Sequence, residues 1–197
     1  MALKMLAING AYRRGGVIDQ AVEAACAAAR AAGAETETVF LAEQEIEFCL
    51  NCRACTQAPG SGRGECVQKD GMAALLAKAD AADALILAAP VNFFNVNALT
   101  RRFMERLTPG AYWPWGAAAP KLRRKPGRKA ALITSSAMPS LAGRLATGAL
   151  RALKAAAEGL GVKPAGALFI GLAAMEEKPA LPAWDRRLAE RLGRKLL

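Results

Sequence analysis

The sequence predicts a doubly wound α/β sandwich, one parallel sheet between two layers of helices, and three observations carry the prediction. Short apolar runs alternate with alanine- and leucine-rich helical patterns along the chain. The run at 84–88, Ala-Leu-Ile-Leu-Ala, has no polar interruption, as a strand covered on both faces requires. The first run, 4–8, stops at Asn9-Gly10 and is followed by Arg14-Gly15-Gly16 and a helical pattern. Strand, glycine turn and helix in that order form the usual first unit of an open parallel sheet.

Taken in order, a helix over 19–32 carries Ile18, Val22 and Cys26 on one face and closes at Gly33. Residues 35–41 alternate polar and apolar side chains and give the second strand. A cysteine-bearing loop at 46–68 precedes a short helix over 70–80 with Met72, Leu75 and Leu76 inward. The third strand, 84–88, is ended by Pro90, and a loop rich in Asn and Phe follows. Residues 97–107 form a helix with Leu99, Phe103, Met104 and Leu107 on its apolar side. The segment 112–126 is irregular; Trp113 and Trp115 read first as packing, with a dimer contact or a lid over a neighbouring subunit as alternatives. A fourth strand at 129–134 breaks at Ser135-Ser136, and one long helix over 141–160 closes at Gly161. A fifth strand centres on 168–170, and 182–197 is a helix with a basic outer face. Asp70, Glu105 and Arg106 read as helix caps or surface pairs. With no internal repeat or linker, residues 1–197 read as a single domain.

Composition narrows the function. A chain of 197 residues, 53% hydrophobic and 22% charged, has the material for one full core and argues against extensive disorder. The first residues lack a signal-peptide pattern, and the longest apolar stretches, 84–91 and 165–175, are too short to span a membrane. A soluble, cytoplasmic protein with no membrane partner is expected. The net charge of +10 suggests nucleic acid, but aromatic residues make up only 6%, too few to interleave a base-stacking stripe. The densest basic run, 121–129, sits beside Pro126-Gly127 and reads as a solvated loop. No nucleic-acid partner is expected, and a basic surface also attracts anionic nucleotides such as FMN or NADPH. With no histidine in the chain, Ser-His-Asp and Cys-His catalysis and His-containing zinc sites are excluded. Hydride transfer through a bound flavin survives, because the cofactor supplies the reacting atoms.

The opening turn offers backbone N–H groups at a helix N-terminus, where a phosphate is favoured, with Arg13 and Arg14 adding charge. Its spacing is not Gly-x-Gly-x-x-Gly, so a mononucleotide suits it better than a dinucleotide. In a doubly wound sheet the loops after strands one, three and four converge beyond the strand carboxyl ends. Those loops begin at Asn9, Pro90 and Ser135. Cys49-x-x-Cys52-x-x-Cys55 with Cys66 is the sharpest chemical signal. In a cytosolic protein these thiols argue for metal over disulfides. A [4Fe–4S] cluster, a zinc ion and no metal all remain open. Cys26, on an apolar helix face, is packing.

Together these residues resemble the NAD(P)H-dependent FMN reductase family, and more closely its iron-sulfur flavoprotein branch. The resemblance rests on 10–16, the four loop cysteines, Asp70-Gly71-Met72, Ala89-Pro90-Val91 and 101–106, and spans most of the first two-thirds of the chain. It implies a flavodoxin-like fold with five parallel strands in the order 2-1-3-4-5, and FMN as cofactor. The FMN phosphate would lie on Gly10, Ala11, Tyr12, Arg13, Gly15, Gly16, Val17 and Ile18. The isoalloxazine would lie along Pro90, Val91, Asn92, Phe93, Phe94 and Asn95, with Ser135 and Ser136 at its other edge. NAD(P)H would be the co-substrate, and a small molecule or a redox protein the electron acceptor. Homodimers or homotetramers are common in the family. Cys49, Cys52, Cys55 and Cys66 would ligate a cluster, although the gap before Cys66 is longer than the family's. Ala11 and Ile18 replace family hydroxyls, each a donor worth about 1.5–3 kcal/mol to a charged phosphate. Tyr12 replaces a proline, and Asn92 stands where a tyrosine is common. Besides the oxidoreductase, an iron-sulfur electron carrier and a binding protein that has lost its flavin fit the same residues.

Overall fold

The computed structural model describes residues 2–197. Strand β1 (Lys4–Asn9) leads through a glycine turn into α1 (Val17–Ala31) and then β2 (Glu35–Phe40). A long loop reaches α2 (Gly71–Ala81), followed by β3 (Ala84–Asn92), β4 (Asn95–Val96) and α3 (Ala98–Glu105). After β5 (Ala111–Tyr112) and β6 (Lys121–Leu122) come β7 (Arg128–Ser135), α4 (Ser140–Ala146), α5 (Ala149–Gly159), β8 (Val162–Ile170) and α6 (Ala183–Lys195). The main sheet runs β2-β1-β3-β7-β8, with every neighbouring pair parallel. Once the three two-residue strands are set aside, this is the expected 2-1-3-4-5 order. Strand order reverses between β1 and β3, which puts a crevice beyond their carboxyl ends.

Alternation along the strands divides the core into two. Leu6, Ile8, Leu85, Leu87 and Leu132 meet α2, α3 and α5 on one face. Met5, Ala7, Ile86 and Ile133 meet α1 and α6 on the other. Small residues let the helices close: a Cβ at Gly193 of α6 would stand 2.0 Å from the Ala25 carbonyl oxygen of α1.

Pro90 does not end the third strand. β3 runs on to Asn92, with Pro90 in register opposite Ser135 of β7. β1 has already stopped at the level of Ala88, so no strand there needs a proline N–H, and the Pro90 carbonyl accepts from Asn97 instead. β3 then turns back through Phe93-Phe94 into β4. Both residues have positive φ, 45° and 60°, the conformation a two-residue hairpin turn demands.

The expected 141–160 helix is two helices. Thr147 is extended and interrupts them, and the Gly148 N–H donates to the Phe94 carbonyl at 2.8 Å, so the hairpin tip docks at the start of α5. α1 begins two residues earlier than expected, at Val17. The basic run is solvated at Lys121, Arg124, Lys125 and Lys129, as expected, but Arg123 and Arg128 are partly buried. Arg128 donates to the Ala79 and Ala82 carbonyls at the end of α2 and to Leu160 beyond α5, complementing the negative helix ends. Among the described residues no helix is long and apolar enough to cross a membrane.

Candidate functional site

A cleft of about 900 Å³ opens at the switch point. Its walls come from Ala11–Ile18, Pro90–Asn92, Ser135–Ala137 and a segment after β8, 173–180. The volume is that of a pocket for a cofactor-sized ligand.

The end of the cleft at the glycine turn is built by β1 and α1. Asn9 is fully buried, and its Oδ1 accepts from the Ala11 N–H at 3.0 Å, bending the chain sharply off the strand. The Asp19 carboxylate accepts from the Gly15 N–H at 2.7 Å and from Asn9 Nδ2 at 3.2 Å, fixing the far side of the turn. Gly15 has φ +73°, a conformation open to glycine at little cost. α1 then follows Gly16, its N-cap residue, which offers no side chain to cap it. Its first N–H groups therefore face the cleft at the positive end of the helix dipole.

Neither missing hydroxyl blocks this mouth. Ile18 is 3% exposed and Ala11 7%, both packed into the core shared with α1. Tyr12 is 55% exposed and lies at the rim. Arg14 is drawn outward, with its guanidinium bonded to Glu43 and stacked 3.7 Å from the Phe40 ring. Arg13 remains an exposed cation of the turn that lines the cleft.

Gly10 plays a different part from the one expected. Its N–H donates to the Ala88 carbonyl at 2.7 Å, and its own carbonyl accepts from Asn97 Nδ2 at 2.7 Å. A Cβ there would meet Thr100 Oγ1 at 2.1 Å, so glycine is needed for the turn to lie against α3. Pro90, Val91 and Asn92 line the cleft, as do Ser135 and Ser136. The structure does not bring Phe93, Phe94 or Asn95 to it. Phe93 and Phe94 are 100% and 61% exposed at the hairpin tip, and the Asn95 side chain accepts from the Val96 N–H.

The wall at 173–180 escaped the sequence reading. Its signal was present, because the loop after the fifth strand leaves the same carboxyl edge as the other loops.

The cysteine loop is held down by three arginines. The Arg53 guanidinium lies between the rings of Trp113 and Trp115, 4.0 and 4.2 Å from their centroids, so both tryptophans pack against the loop. Arg123 donates to the carbonyls of Cys55, Ala58 and Gly60. Arg106, 2% exposed, bonds both Asp70 oxygens at 2.6 and 3.0 Å and the Glu47 carbonyl at 2.8 Å, and reaches Cys66 Sγ at 3.6 Å. The pair expected at the surface is thus buried. Asp70 also caps α2 through the Met72 N–H, and its bonds to Arg106 hold its carboxyl down to about 2. Glu105 keeps a surface pairing with Arg101.

Cys49, Cys52, Cys55 and Cys66 all carry free thiols. Burial pushes the Cys55 thiol up, and negative charge on Cys66, Cys49 and Cys52 adds to it. Among the described residues no three His, Cys, Asp or Glu side chains are drawn together as a metal-binding group. Cys26 is buried on α1, as expected.

Comparison with known proteins matches residues 3–174 to the family described as NADPH-dependent FMN reductase. An iron-sulfur flavoprotein from Archaeoglobus fulgidus is 33% identical over 112 residues, 57% of this chain and 49% of that protein. The chain spans about half the length of the curated relatives it matches. In structure, an NAD(P)H:quinone oxidoreductase from Methanothermobacter marburgensis superposes with TM-score 0.71 at 17% identity, covering 100% of both chains. An FMN-dependent NADH-azoreductase from Bacillus anthracis, solved with FMN, gives 0.71 at 14%, covering 98% of this chain and 99% of that one. At these identities the two superpositions establish the fold.

Proposed function

This chain belongs to the NADPH-dependent FMN reductase family, and from that premise we propose that it is an FMN-dependent NAD(P)H oxidoreductase. The observation that carries the reading is the open cleft of about 900 Å³ ending at an uncapped helix N-terminus. These residues fit FMN: a dianionic tail at the amides of 16–18 beside Arg13, a flat ring toward Pro90–Asn92 and Ser135–Ser136. Bound there, FMN would accept a hydride from reduced nicotinamide and return two electrons to an acceptor. The protein's part is binding and positioning. The turn amides and Arg13 balance the phosphate charge without a counter-ion. The β3 end presents backbone and small apolar surface to the ring edge, and the 173–180 segment keeps water from the opposite side. No side-chain nucleophile or imidazole is required.

The Cys49-x-x-Cys52-x-x-Cys55 spacing with Cys66 on the same loop favours a second reading, in which these four thiols close on a [4Fe–4S] cluster that passes electrons to a redox protein. The donor set suits it, with Arg106 and the Asn51 N–H positioned to bond the sulfurs of Cys66 and Cys49. The relative's name agrees. A homodimer or homotetramer would cover the aromatic hairpin tip and the exposed Leu141 and Leu145 of α4.

Anaerobic purification followed by FMN titration and stopped-flow mixing with NADPH or NADH tests both readings. The oxidoreductase reading expects two flavin bands in the near ultraviolet and blue that bleach on mixing and return with a quinone acceptor. A cluster adds a broad shoulder absent from a Cys49→Ser/Cys52→Ser variant. Protein that stays colourless after FMN addition would contradict both.

A further inference from the structure

The segment that walls the cleft after β8 has few anchors of its own. Residues 172, 174–178 and 180 are exposed, and Leu172 has φ +55°. Yet one side chain on α1 grips it at two points. Gln20 Nε2 donates to the Pro179 carbonyl at 3.0 Å, and its Oε1 accepts from the Leu181 N–H at 2.9 Å. One amide thus pairs with the segment as a neighbouring β-strand would. The same Nε2 donates to the Gly15 carbonyl at 2.8 Å, inside the phosphate turn. Gln20 lies one turn into α1 and lines the cleft it helps to build.

We propose that Gln20 is a positioning residue that clips the 173–180 strap to the phosphate turn, so that the turn, the strap and the anion they enclose hold together as one unit. This rests on the cleft being the flavin site. The physical basis is the three-bond geometry of one amide. Two of the bonds join segments 159 and 161 residues apart in sequence, and the third fixes the turn itself. The clip holds Pro179 and, with it, the adjoining Lys178 in the cleft wall that Arg13 and Glu177 also line. A ligand phosphate that orders the turn therefore also orders the strap, and strap closure slows ligand escape.

Gln20→Met keeps the length of the side chain and removes all three bonds. Glu23→Ala on the same helix, which loses only an exposed pair with Arg30, is the control. Two measurements are needed. In the apoprotein, cleavage by a glutamate-specific protease after Glu176 and Glu177 reports strap opening with no flavin present. In the FMN-loaded protein, the rate of flavin release is followed by fluorescence. Gln20→Met is expected to raise both rates about tenfold, the effect of losing roughly 1.4 kcal/mol, while Glu23→Ala changes neither. Normal FMN binding with strap cleavage unchanged in Gln20→Met overturns the clip and leaves the flavin site standing. Faster cleavage with flavin release unchanged, or faster only in proportion to a lower melting temperature, overturns its retaining role. Failure of the unsubstituted protein to bind FMN overturns the function on which the proposal rests, and the cleavage measurement still reports the clip.

Discussion

Replacing Arg106 by methionine is expected to cost about 3 kcal/mol of stability, because it leaves the largely enclosed Asp70 carboxylate, 10% exposed, without its charged partner. Arg106 is 2% exposed, and its side chain joins Asp70, the Glu47 carbonyl and the Cys66 sulfur. The substitution therefore loosens both ends of the cysteine loop and the cap of α2 together. Urea unfolding followed by circular dichroism is the measurement, with a lower midpoint at unchanged slope as the expected result. Arg106→Lys keeps the charge but not the two-oxygen grip, and its loss should be intermediate. Acid titration gives an independent check. The Asp70 carboxyl titrates at about 2 in the folded chain against 3.8 ordinarily. Its contribution is thus complete above the ordinary value and is lost as pH falls through about 2. The shift is worth about 2 kcal/mol. In Asp70→Asn that part of the acid limb should disappear.

Gly10→Ala is the second large effect. The added Cβ would stand 2.1 Å from Thr100 Oγ1 and 3.1 Å from the Ala88 carbonyl oxygen. Thr100 is 3% exposed at the start of α3, with its N–H held by Asn97, so it cannot swing away. Overpacking of this kind costs about 1–3 kcal/mol. Because Gly10 also carries the bond to Asn97 that seats the phosphate turn, FMN affinity should fall alongside stability. The check is a double-mutant cycle with Thr100→Ala, which removes the obstructing hydroxyl. The pair should be more stable than Gly10→Ala alone, with a coupling above about 0.5 kcal/mol. Strict additivity would place the cost of Gly10→Ala elsewhere.

Most of the sheet was legible because its signals are local. Unbroken apolar runs mark strands covered on both faces, and glycine after Asn9 and at Gly33 marks where strand and helix stop. The misreadings came from tertiary contacts that no window contains. Pro90 looked like a strand end because the absence of a β1 partner at that level cannot be seen from sequence. The break at Thr147-Gly148 exists to receive the carbonyl of Phe94, more than fifty residues earlier. Within the basic run Arg128 read as solvated because its partners, carbonyls at the ends of α2 and α5, carry no sequence signature. At the site, the Ala11–Ile18 turn was readable from its glycines and the strand before it. Gly10 was placed at the ligand when its necessity comes from Thr100. The aromatic pair Phe93-Phe94 suggested ring stacking, but a two-residue turn carries both side chains outward. Ala11 and Ile18 lack the hydroxyls of the family pattern; both line the cleft with side chains packed into the core, which leaves backbone amides and Arg13 as the donors of the turn.

Whether α1 begins at a phosphate is tested most directly by comparing the binding of FMN with that of riboflavin. The two share the ring and differ in the terminal phosphate. Equilibrium titration by flavin fluorescence should show FMN binding about a hundredfold tighter or more, the yield of two charge-assisted hydrogen bonds. The advantage should shrink as salt rises. Equal affinities, insensitive to salt, would mean that the helix mouth grips no anion, and the account of the cleft would be wrong.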